Sequence, residues 1–347
     1  MKVVVAMSGG VDSSTVAGLL HAEGHEVIGV TLQLYDHGQV TARKGACCAG
    51  QDIHDARRVA DTLGIPHYVI DAEQRFRTDV VANFADSYAR GETPVPCIRC
   101  NMTVKFNDLL ELAHDLGAER LATGHYVRRV EGADGAELHR AADPARDQSW
   151  FLFATTRAQL ERSLFPLGSY ADKSAVRARA AAMGLAVADK PDSQDICFVP
   201  TGSYAEAVGR IRPDALEAGE IVDEAGGVVG RHDGIARYTV GQAKRLGPAG
   251  AGRVVTRIDF ATRRIVIGER DGGQRRLKLR ETNWLAEGGP WRCTVKLRGR
   301  DEPRAATVSP GTSDVVLDEP TRAAPGQACV AYDGDRVLGG GFVTSAD

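Results

Sequence analysis

The sequence lacks the long apolar runs and leader-like segments of membrane and exported proteins. None of its 347 residues lies in an apolar stretch approaching the roughly 20 residues that span a bilayer. Met1 and Lys2 lead directly into a strand-like run, so we expect no signal peptide. No segment is of low complexity, and 43% hydrophobic with 26% charged residues is ordinary globular composition. These absences predict a cytoplasmic protein with no membrane partner.

Cysteine is sparse and odd in number, which argues against a disulfide-stapled fold. Seven cysteines without an export signal are expected to stay reduced. There is no second C-x-x-C motif beside Cys97-Ile98-Arg99-Cys100, and the adjacent Cys47-Cys48 pair would rarely bind one zinc, whereas a structural zinc needs four ligands. Cys293 and Cys329 stand in apolar strand-like runs, which favours buried, inert thiols.

Strong net charge is also missing, but the charge is unevenly distributed. A net charge of −3 argues against indiscriminate binding to nucleic acid. The segment 275–304 nevertheless holds nine Lys and Arg against four Asp and Glu. This segment is either a solvated β surface or a surface for directed contact with nucleic acid.

Strand-like and helical runs alternate over the first 130 residues. This alternation predicts a parallel sheet covered on both faces. After about Pro200, glycine-rich turns separate short strand-like runs, which predicts a small linking domain and then a β-barrel or sandwich. We therefore predict an α/β protein with a catalytic domain at 1–200, a central linking domain at 201–270 and a C-terminal β-barrel at 271–347.

The most informative segment is the loop that follows the first strand-like run. Its residues are Ala6, Met7, Ser8, Gly9, Gly10, Val11, Asp12 and Ser13, and a helical pattern follows. A strand that enters a helix through such a turn presents backbone N–H groups and a partial positive charge to an anion. A Gly-Lys-Ser/Thr ending and the dinucleotide glycine fingerprint are both absent. The loop therefore predicts phosphate binding of another type than a Walker or Rossmann site.

Two cysteines are candidate reactive thiols. The prolines before Cys97 disfavour helix and Asn101–Leu116 has a helical pattern, so Cys100 is predicted at or near a helix N-terminus. Such a position stabilises the thiolate that nucleophilic sulfur chemistry requires. Cys197 lies in a loop-like stretch, and Phe198-Val199 is predicted to begin a strand.

The order of these segments resembles the bacterial tRNA-specific 2-thiouridylases, members of the PP-loop ATP pyrophosphatase superfamily. The matching segments, in chain order, are Ser8–Ser13, Thr93–Asn101, Lys105-Phe106, Ala122–Tyr126, Asp147–Leu152, Asp192–Phe198, Gly219–Val222, Tyr238–Gln242 and Gly339–Gly341. The resemblance extends from residue 3 to about residue 343. It implies an adenine nucleotide alpha hydrolase-like PP-loop domain and an enzyme that replaces the C2 oxygen of a tRNA wobble uridine by sulfur.

The resemblance implies three groups of site residues. ATP, with Mg²⁺, would bind to the loop of residues 6–13, with Leu32 lining the adenine pocket and Gly124 contacting the nucleotide through its backbone. Residues that would border the target base are Pro96, Cys97 and Ile98. Residues that would contact the tRNA around its anticodon stem-loop are His125, Arg146, Asp147, Gln148, Arg298 and Gln327.

The resemblance also implies a route for sulfur. Adenylation would turn the uracil C2 oxygen into a good leaving group, and a persulfide on Cys197 would supply sulfur. Cys100 would be the nucleophile that releases this sulfur, which leaves a transient Cys100–Cys197 disulfide together with 2-thiouridine, AMP and pyrophosphate. A sulfur-relay protein downstream of a cysteine desulfurase would reload Cys197.

The sequence is compatible with several alternatives. Cys97, Cys100 and Cys197 could instead ligate a [4Fe–4S] cluster with one iron open for sulfide. Cys97 stands where many family members have Asp, so its role is a supporting one or that of a cluster ligand. Another PP-loop ligase, such as a lysidine or argininosuccinate synthetase, would not explain Cys100 and Cys197. A non-catalytic tRNA-binding protein with a zinc-stabilised loop would not explain the intact loop of residues 8–13.

Overall fold

The computed structural model describes residues 1–35, 48–192, 196–199, 204–270 and 272–344. Cys47, Pro200 and the segment 193–195 before Cys197 lie outside the described residues. The chain separates into two compact units. The first comprises Met1–Val80, Ile98–Gln194 and Asp335–Val337, and the second comprises Val81–Cys97, Asp195–Gly334 and Leu338–Asp347.

A parallel five-stranded sheet forms the centre of the first unit, as predicted. The strands of this unit, including one hairpin of two strands, are β1 (Lys2–Ala6), β2 (Glu26–Gln33), β3 (His67–Asp71), β4 (Arg120–Ala122), β5 (Val127–Gly132), β6 (Gly135–Arg140) and β7 (Ser163–Leu164). The sheet order is β3-β2-β1-β4-β7, and β5 and β6 form the antiparallel hairpin. Val3, Val4 and Val5 of β1 are completely buried because helices cover both faces of a parallel sheet.

The helices within the described residues are mostly short. In chain order they are α1 (Val11–Ala22), α2 (Cys48–Leu63), α3 (Glu73–Phe76), α4 (Asn83–Ala89), α5 (Pro96–Cys100), α6 (Phe106–Asp115), α7 (Ser149–Leu152), α8 (Arg157–Glu161), α9 (Lys173–Ala182) and α10 (Tyr204–Ile211). Two π-helical segments, Arg77–Ala82 and Asn101–Lys105, connect α3 to α4 and α5 to α6. None of the helices described is long and apolar enough to cross a membrane.

Two local predictions are wrong. The helix does not begin after Cys100 but at Pro96, and the helical run continues through the π-helical segment into α6. Proline is compatible with this position because the first N–H groups of a helix have no intrahelical acceptor. Phe198 does not begin a strand, since the Val199 N–H donates to Ile196 O at 2.9 Å and closes a turn.

The second unit contains a four-stranded sheet and a barrel. The strands of the sheet, in the order β10-β11-β8-β9, are β8 (Gly219–Asp223), β9 (Val228–His232), β10 (Arg253–Asp259) and β11 (Arg264–Glu269). Its core includes Ile221, Val255 and Ile265, together with Phe84 from α4 and Val208 from α10. The segment 81–97 therefore packs with the second unit although it precedes most of the first in sequence.

The C-terminal strands close into a six-stranded antiparallel β-barrel, as predicted. They are β12 (Gln274–Trp284), β13 (Trp291–Lys296), β14 (Arg304–Ser309), β15 (Asp314–Thr321), β16 (Ala328–Asp333) and β17 (Arg336–Val343). Pairing of β12 with β17, from Leu279 opposite Val343, closes the ring. Cys293 and Cys329 are buried in it, and burial raises the pKa of Cys293 to about 11, so this thiol stays protonated at neutral pH.

Candidate active site

Hydrogen bonds to β2, within the loop and to the first turn of α1 fix the backbone between β1 and α1. The Met7 N–H donates to Val30 O at 2.8 Å, which extends the β1–β2 pairing by one residue. Ser13 Oγ accepts from the Ser8 N–H at 3.0 Å, and Ser14 Oγ donates to Gly10 O at 2.8 Å. The serines of the motif therefore hold the loop in one shape.

Two glycines give this loop its conformation. Gly9 has a φ of +71°, and a Cβ on it would lie 2.1 Å from the backbone oxygen of Asp52 in α2. Gly10 is the N-cap of α1, and it provides no side-chain acceptor. Since the first N–H groups of a helix have no intrahelical acceptor, the N-terminus of α1 offers donors of the kind that anions accept.

Gly124, which follows β4, lies directly against the start of α1. A Cβ on Gly124 would lie 2.9 Å from Ser13 N and 3.0 Å from Asp12 Cβ. The structure thus brings together the residues that follow β1 and β4, which are neighbours in the sheet. Leu32, close to the end of β2 on the other side of β1, is half-buried at the same edge.

Asp12 is held by two donors that the motif did not indicate. Its Oδ1 accepts from Tyr126 Oη at 2.6 Å and from Lys173 Nζ at 2.5 Å. The Lys173 side chain is only 10% exposed and also pairs with Asp192 at 3.0 Å. Burial and the Asp12 carboxylate raise the pKa of Tyr126, so its hydroxyl stays a donor. Lys173 therefore places a largely buried positive charge beside the first turn of α1.

Asp192 forms salt bridges with three cationic side chains. Arg146 donates to Asp192 at 2.7 Å and Arg177 at 3.3 Å, in addition to Lys173. Burial opposes ionisation of Asp192, but the bonds from Lys173 and Arg146 lower its pKa below the usual value. This group leaves an excess of positive charge close to the Asp12 carboxylate, which suits an anionic ligand.

The three predicted tRNA-contacting residues 146–148 differ in their surroundings. The Asp147 carboxylate accepts from the backbone N–H groups of Ala141 and Ser149 and from Ser149 Oγ. Gln148 Oε1 accepts from the Tyr126 N–H at 2.9 Å. Asp147 and Gln148 thus shape the loop itself, whereas the Arg146 side chain is 40% exposed.

His125 is a neutral imidazole in a half-buried position. Its Nδ1 lies 2.8 Å from Thr123 Oγ1, and its ring stacks on Phe106 with 6.1 Å between ring centroids. Burial, assisted by the charge of Lys105, lowers the pKa of His125 to about 3. Its role beside a ligand would therefore be that of a neutral hydrogen-bonding or stacking group.

A lowered histidine pKa predicts a pH dependence of stability. The unfolded chain takes up a proton at His125 below pH 6.5 and the folded chain only near pH 3, so stability falls as pH falls through this range. From about pH 7 to about pH 5, the free energy of unfolding should fall by about 2 kcal/mol more in the wild type than in His125→Phe. Urea titrations measure this difference, with His114→Gln as the control at a histidine whose side chain is 77% exposed. Equal pH slopes in wild type and His125→Phe would contradict the assignment.

The two candidate reactive cysteines, Cys100 and Cys197, and the candidate supporting residue Cys97 lie in different surroundings. Cys97 is exposed in the first turn of α5, Cys100 is buried at the end of this helix, and Cys197 is exposed in a turn. None of Cys97, Cys100, Cys197, Cys293 and Cys329 is joined in a disulfide, so the transient Cys100–Cys197 disulfide stays a prediction. The described part of the chain also has no group of three or more His, Cys, Asp or Glu placed to hold a metal ion. A cluster bound by Cys97, Cys100 and Cys197 likewise stays a prediction.

The predicted tRNA contacts of the second unit lie in the barrel. Arg298 follows β13 and is exposed, as is Arg300 two residues further on, although Arg300 is not among the predicted contacts. Gln327 is half-buried, with its backbone bonded to Ala324 O and to the Val343 N–H. Acidic partners neutralise part of the basic segment 275–304, through the pairs Arg292–Asp318, Lys278–Asp314 and Arg280–Glu92. The positive charge left for a ligand is therefore smaller than the count of residues within this segment indicates.

Models of known families match nearly the whole chain. Residues 1–201 match the tRNA methyl transferase HUP domain, residues 208–269 the tRNA methyl transferase PRC-barrel domain, and residues 274–343 the aminomethyltransferase beta-barrel domain. The fold and these matches define a class of protein with a parallel-sheet HUP domain followed by two β domains.

Full-length relatives narrow this class to one family. The tRNA-specific 2-thiouridylase MnmA of Acidiphilium cryptum (strain JF-5) is 67% identical over 345 residues, covering 99% of this chain and 100% of that protein. The MnmA protein of Gluconobacter oxydans (strain 621H) is 61% identical over 363 aligned positions, with both chains covered completely. The chain belongs to the tRNA-specific 2-thiouridylase family, which is a family of sulfurtransferases.

Proposed function

We propose that this protein catalyses ATP-dependent 2-thiolation of the wobble uridine of tRNA, producing 2-thiouridine, AMP and pyrophosphate. The observation that carries the proposal is the joining of the loop of residues 7–13, Gly124 and the Asp12–Lys173 pair at the N-terminus of α1. Family membership supplies the substrate, since the relatives are 2-thiouridylases of tRNA.

ATP activates the base in this proposal. The uracil C2 oxygen is a poor leaving group, and attack of this oxygen on the α-phosphorus gives an adenylated uracil and pyrophosphate. The N–H groups of the first turn of α1 and the charge of Lys173 would stabilise the leaving pyrophosphate. Bound Mg²⁺ would shield the phosphates, while Asp12, already ion-paired with Lys173, orients the loop.

Sulfur then replaces the adenylated oxygen. The terminal sulfur of a Cys197 persulfide attacks C2 and expels AMP, and the Cys100 thiolate attacks Cys197 Sγ to cleave the S–S bond. The products are thiouridine and a Cys100–Cys197 disulfide, which a cellular dithiol reductant returns to two thiols. In the alternative order, Cys100 first attacks Cys197 Sγ and releases hydrogen sulfide, which then attacks C2 and expels AMP. The electron balance and the disulfide are the same in both orders. The exposed position of Cys197 suits reloading by a sulfur-relay protein.

The target nucleotide must leave its stack to reach this chemistry. Proteins that act on one base of an RNA loop bind it splayed out and pay a few kcal/mol for unstacking, so contacts elsewhere on the tRNA must supply binding energy. Arg146, Arg298 and Arg300 are the exposed cations we assign to the backbone of the anticodon stem-loop. Pro96, Cys97 and Ile98, at the start of α5, are assigned to the target base, and His125 and Gln327 to the tRNA.

A reconstituted reaction tests the proposal. Purified protein, tRNA, ATP, Mg²⁺ and a persulfide donor should give 2-thiouridine and AMP in equal amounts, with neither product formed when tRNA is omitted. Thiolation without AMP, or AMP without thiolation, would contradict it. Iron and sulfide analysis of anaerobically purified protein separates the two sulfur routes: an iron-free protein that thiolates tRNA excludes the cluster, and activity that requires iron excludes the persulfide route.

A further inference from the structure

Lys190 donates three hydrogen bonds that connect α2 to the loop that binds phosphate in the proposed function. Its Nζ lies 2.9 Å from Gly9 O, 2.7 Å from Asp52 Oδ1 and 2.5 Å from Asp55 Oδ2. An ammonium group has three protons, so these acceptors use all of its donors. Lys190 therefore joins the backbone of the loop to the side chains of α2.

The contact with Gly9 O fixes the direction of one peptide group. The Gly9–Gly10 peptide bond is trans, and in a trans peptide the C=O and the N–H point in opposite directions. Because Lys190 holds the Gly9 carbonyl, the Gly10 N–H must point away from Lys190 and α2. Gly10 is the N-cap of α1, so this N–H belongs to the group of donors at the helix N-terminus.

This peptide needs an external restraint. Gly9 and Gly10 both lack a side chain, and glycine has access to more backbone conformations than any other residue. A rotation of the peptide plane would turn the Gly9 carbonyl toward the anion and remove one N–H donor. The bonds between Ser8 and Ser13 and between Ser14 and Gly10 do not involve the Gly9 carbonyl.

The local charge argues against a direct phosphate contact by Lys190. Two carboxylates, Asp52 and Asp55, are within salt-bridge distance of its single ammonium group. The Asp55 side chain is 11% exposed, and Gln51 Nε2 donates to its second oxygen at 2.8 Å. The three groups together carry no excess of positive charge, in contrast to Lys173 and its neighbours. Lys190 therefore positions the loop backbone and does not attract the phosphate.

We infer that Lys190 is a positioning residue, which holds the Gly9–Gly10 peptide so that the Gly10 N–H faces the polyphosphate of ATP. This inference rests on the proposed function, because it requires that the loop binds ATP. It assigns to Lys190 an effect on the phosphates alone, since Lys190 hydrogen-bonds to the backbone of the phosphate loop and to side chains of α2, whereas the adenine pocket is assigned to Leu32 in β2.

Calorimetric titration of the full chain with ATP, pyrophosphate and adenosine tests this assignment. Lys190→Met should weaken binding of ATP and pyrophosphate about tenfold, the effect of one misdirected hydrogen bond to a charged group, and leave adenosine binding unchanged. Lys190→Arg should restore most of the affinity. The matched control is Lys2→Met, because Lys2 Nζ also joins a backbone carbonyl, Leu116 O at 3.3 Å, to a carboxylate, Glu26 at 3.1 Å, without touching the loop.

A double variant covers the risk that Lys190→Met destabilises the unit by leaving Asp55 buried without its cation. Lys190→Met combined with Asp55→Asn removes that charge and should fold, with the same loss for ATP and pyrophosphate. Wild-type affinity for ATP in a folded variant, an equal loss for adenosine, or failure of both variants to fold would each overturn the inference. Absence of ATP binding by the wild type would instead contradict the proposed function.

Discussion

Replacing Cys100 or Cys197 by serine is expected to lower the rate of tRNA thiolation by about 10³-fold or more, as removal of a covalent catalyst does. A serine at position 197 cannot carry a sulfane sulfur, and a neutral hydroxyl at position 100 does not cleave a persulfide. ATP binding should be unchanged in both variants, because neither side chain belongs to the loop of residues 7–13. The measurement is the amount of 2-thiouridine formed in the reconstituted reaction, with ATP affinity determined in parallel.

Cys97→Ser is the matched control for this pair, since Cys97 shares α5 with Cys100. Activity retained by Cys97→Ser alone would assign Cys97 a supporting role, whereas loss in all three variants together with bound iron would favour the cluster. Full thiolation by both Cys100→Ser and Cys197→Ser would contradict the persulfide route.

Gly9→Ala is expected to reduce ATP-dependent thiolation by about 10²-fold, the size of effect that a displacement of about 1 Å produces in an active site. An added Cβ would lie 2.1 Å from the backbone oxygen Asp52 O. Because the Cβ is bonded directly to the Gly9 Cα and the oxygen belongs to the backbone of α2, the collision is relieved only if the loop or α2 shifts. The Gly9 φ of +71° adds strain for any L side chain. Initial rates at several ATP concentrations, with thermal unfolding of the same samples, measure the effect.

Gly24→Ala separates backbone strain from collision. Gly24 has a φ of +81°, but a Cβ there would meet nothing within 4 Å. This control should lose about 1 kcal/mol of stability and keep wild-type activity. If Gly9→Ala and Gly24→Ala show the same activity and the same stability, the close approach of Gly9 to α2 is not required for thiolation.

Local patterns predict the fold where the necessary signal is contiguous in the chain. The apolar run Val3–Val5 indicates a strand buried on both faces, and the alternation with helices indicates a parallel sheet. The C-terminal strands are equally visible, but closure of the barrel depends on pairing of β12 with β17, which are far apart in sequence. A β-barrel and a sandwich therefore have similar sequence patterns, and register between distant strands decides between them.

The candidate site likewise has a part that the sequence predicts and a part that it does not. The loop of residues 6–13 can be predicted from the sequence because its glycines, serines and Asp12 are adjacent in the chain. The contacts of Lys173 and Lys190 with the loop cannot be predicted from the sequence, since each residue is more than 150 positions away from it. In addition, lysines are usually solvated surface residues. The sequence does not predict the start of α5 at Pro96, because a proline both disfavours helix before it and fits the first turn of a helix after it.

The fate of the uridine C2 oxygen shows whether this oxygen is adenylated before sulfur displaces it. A tRNA carrying ¹⁸O at C2 of the wobble uridine is incubated with the protein, ATP and the persulfide donor, and the AMP formed is analysed by mass spectrometry. If the C2 oxygen is adenylated and then displaced by sulfur, each AMP carries one ¹⁸O in its phosphate. Unlabelled AMP, with the ¹⁸O recovered in water or retained in the tRNA, would exclude adenylation of the C2 oxygen.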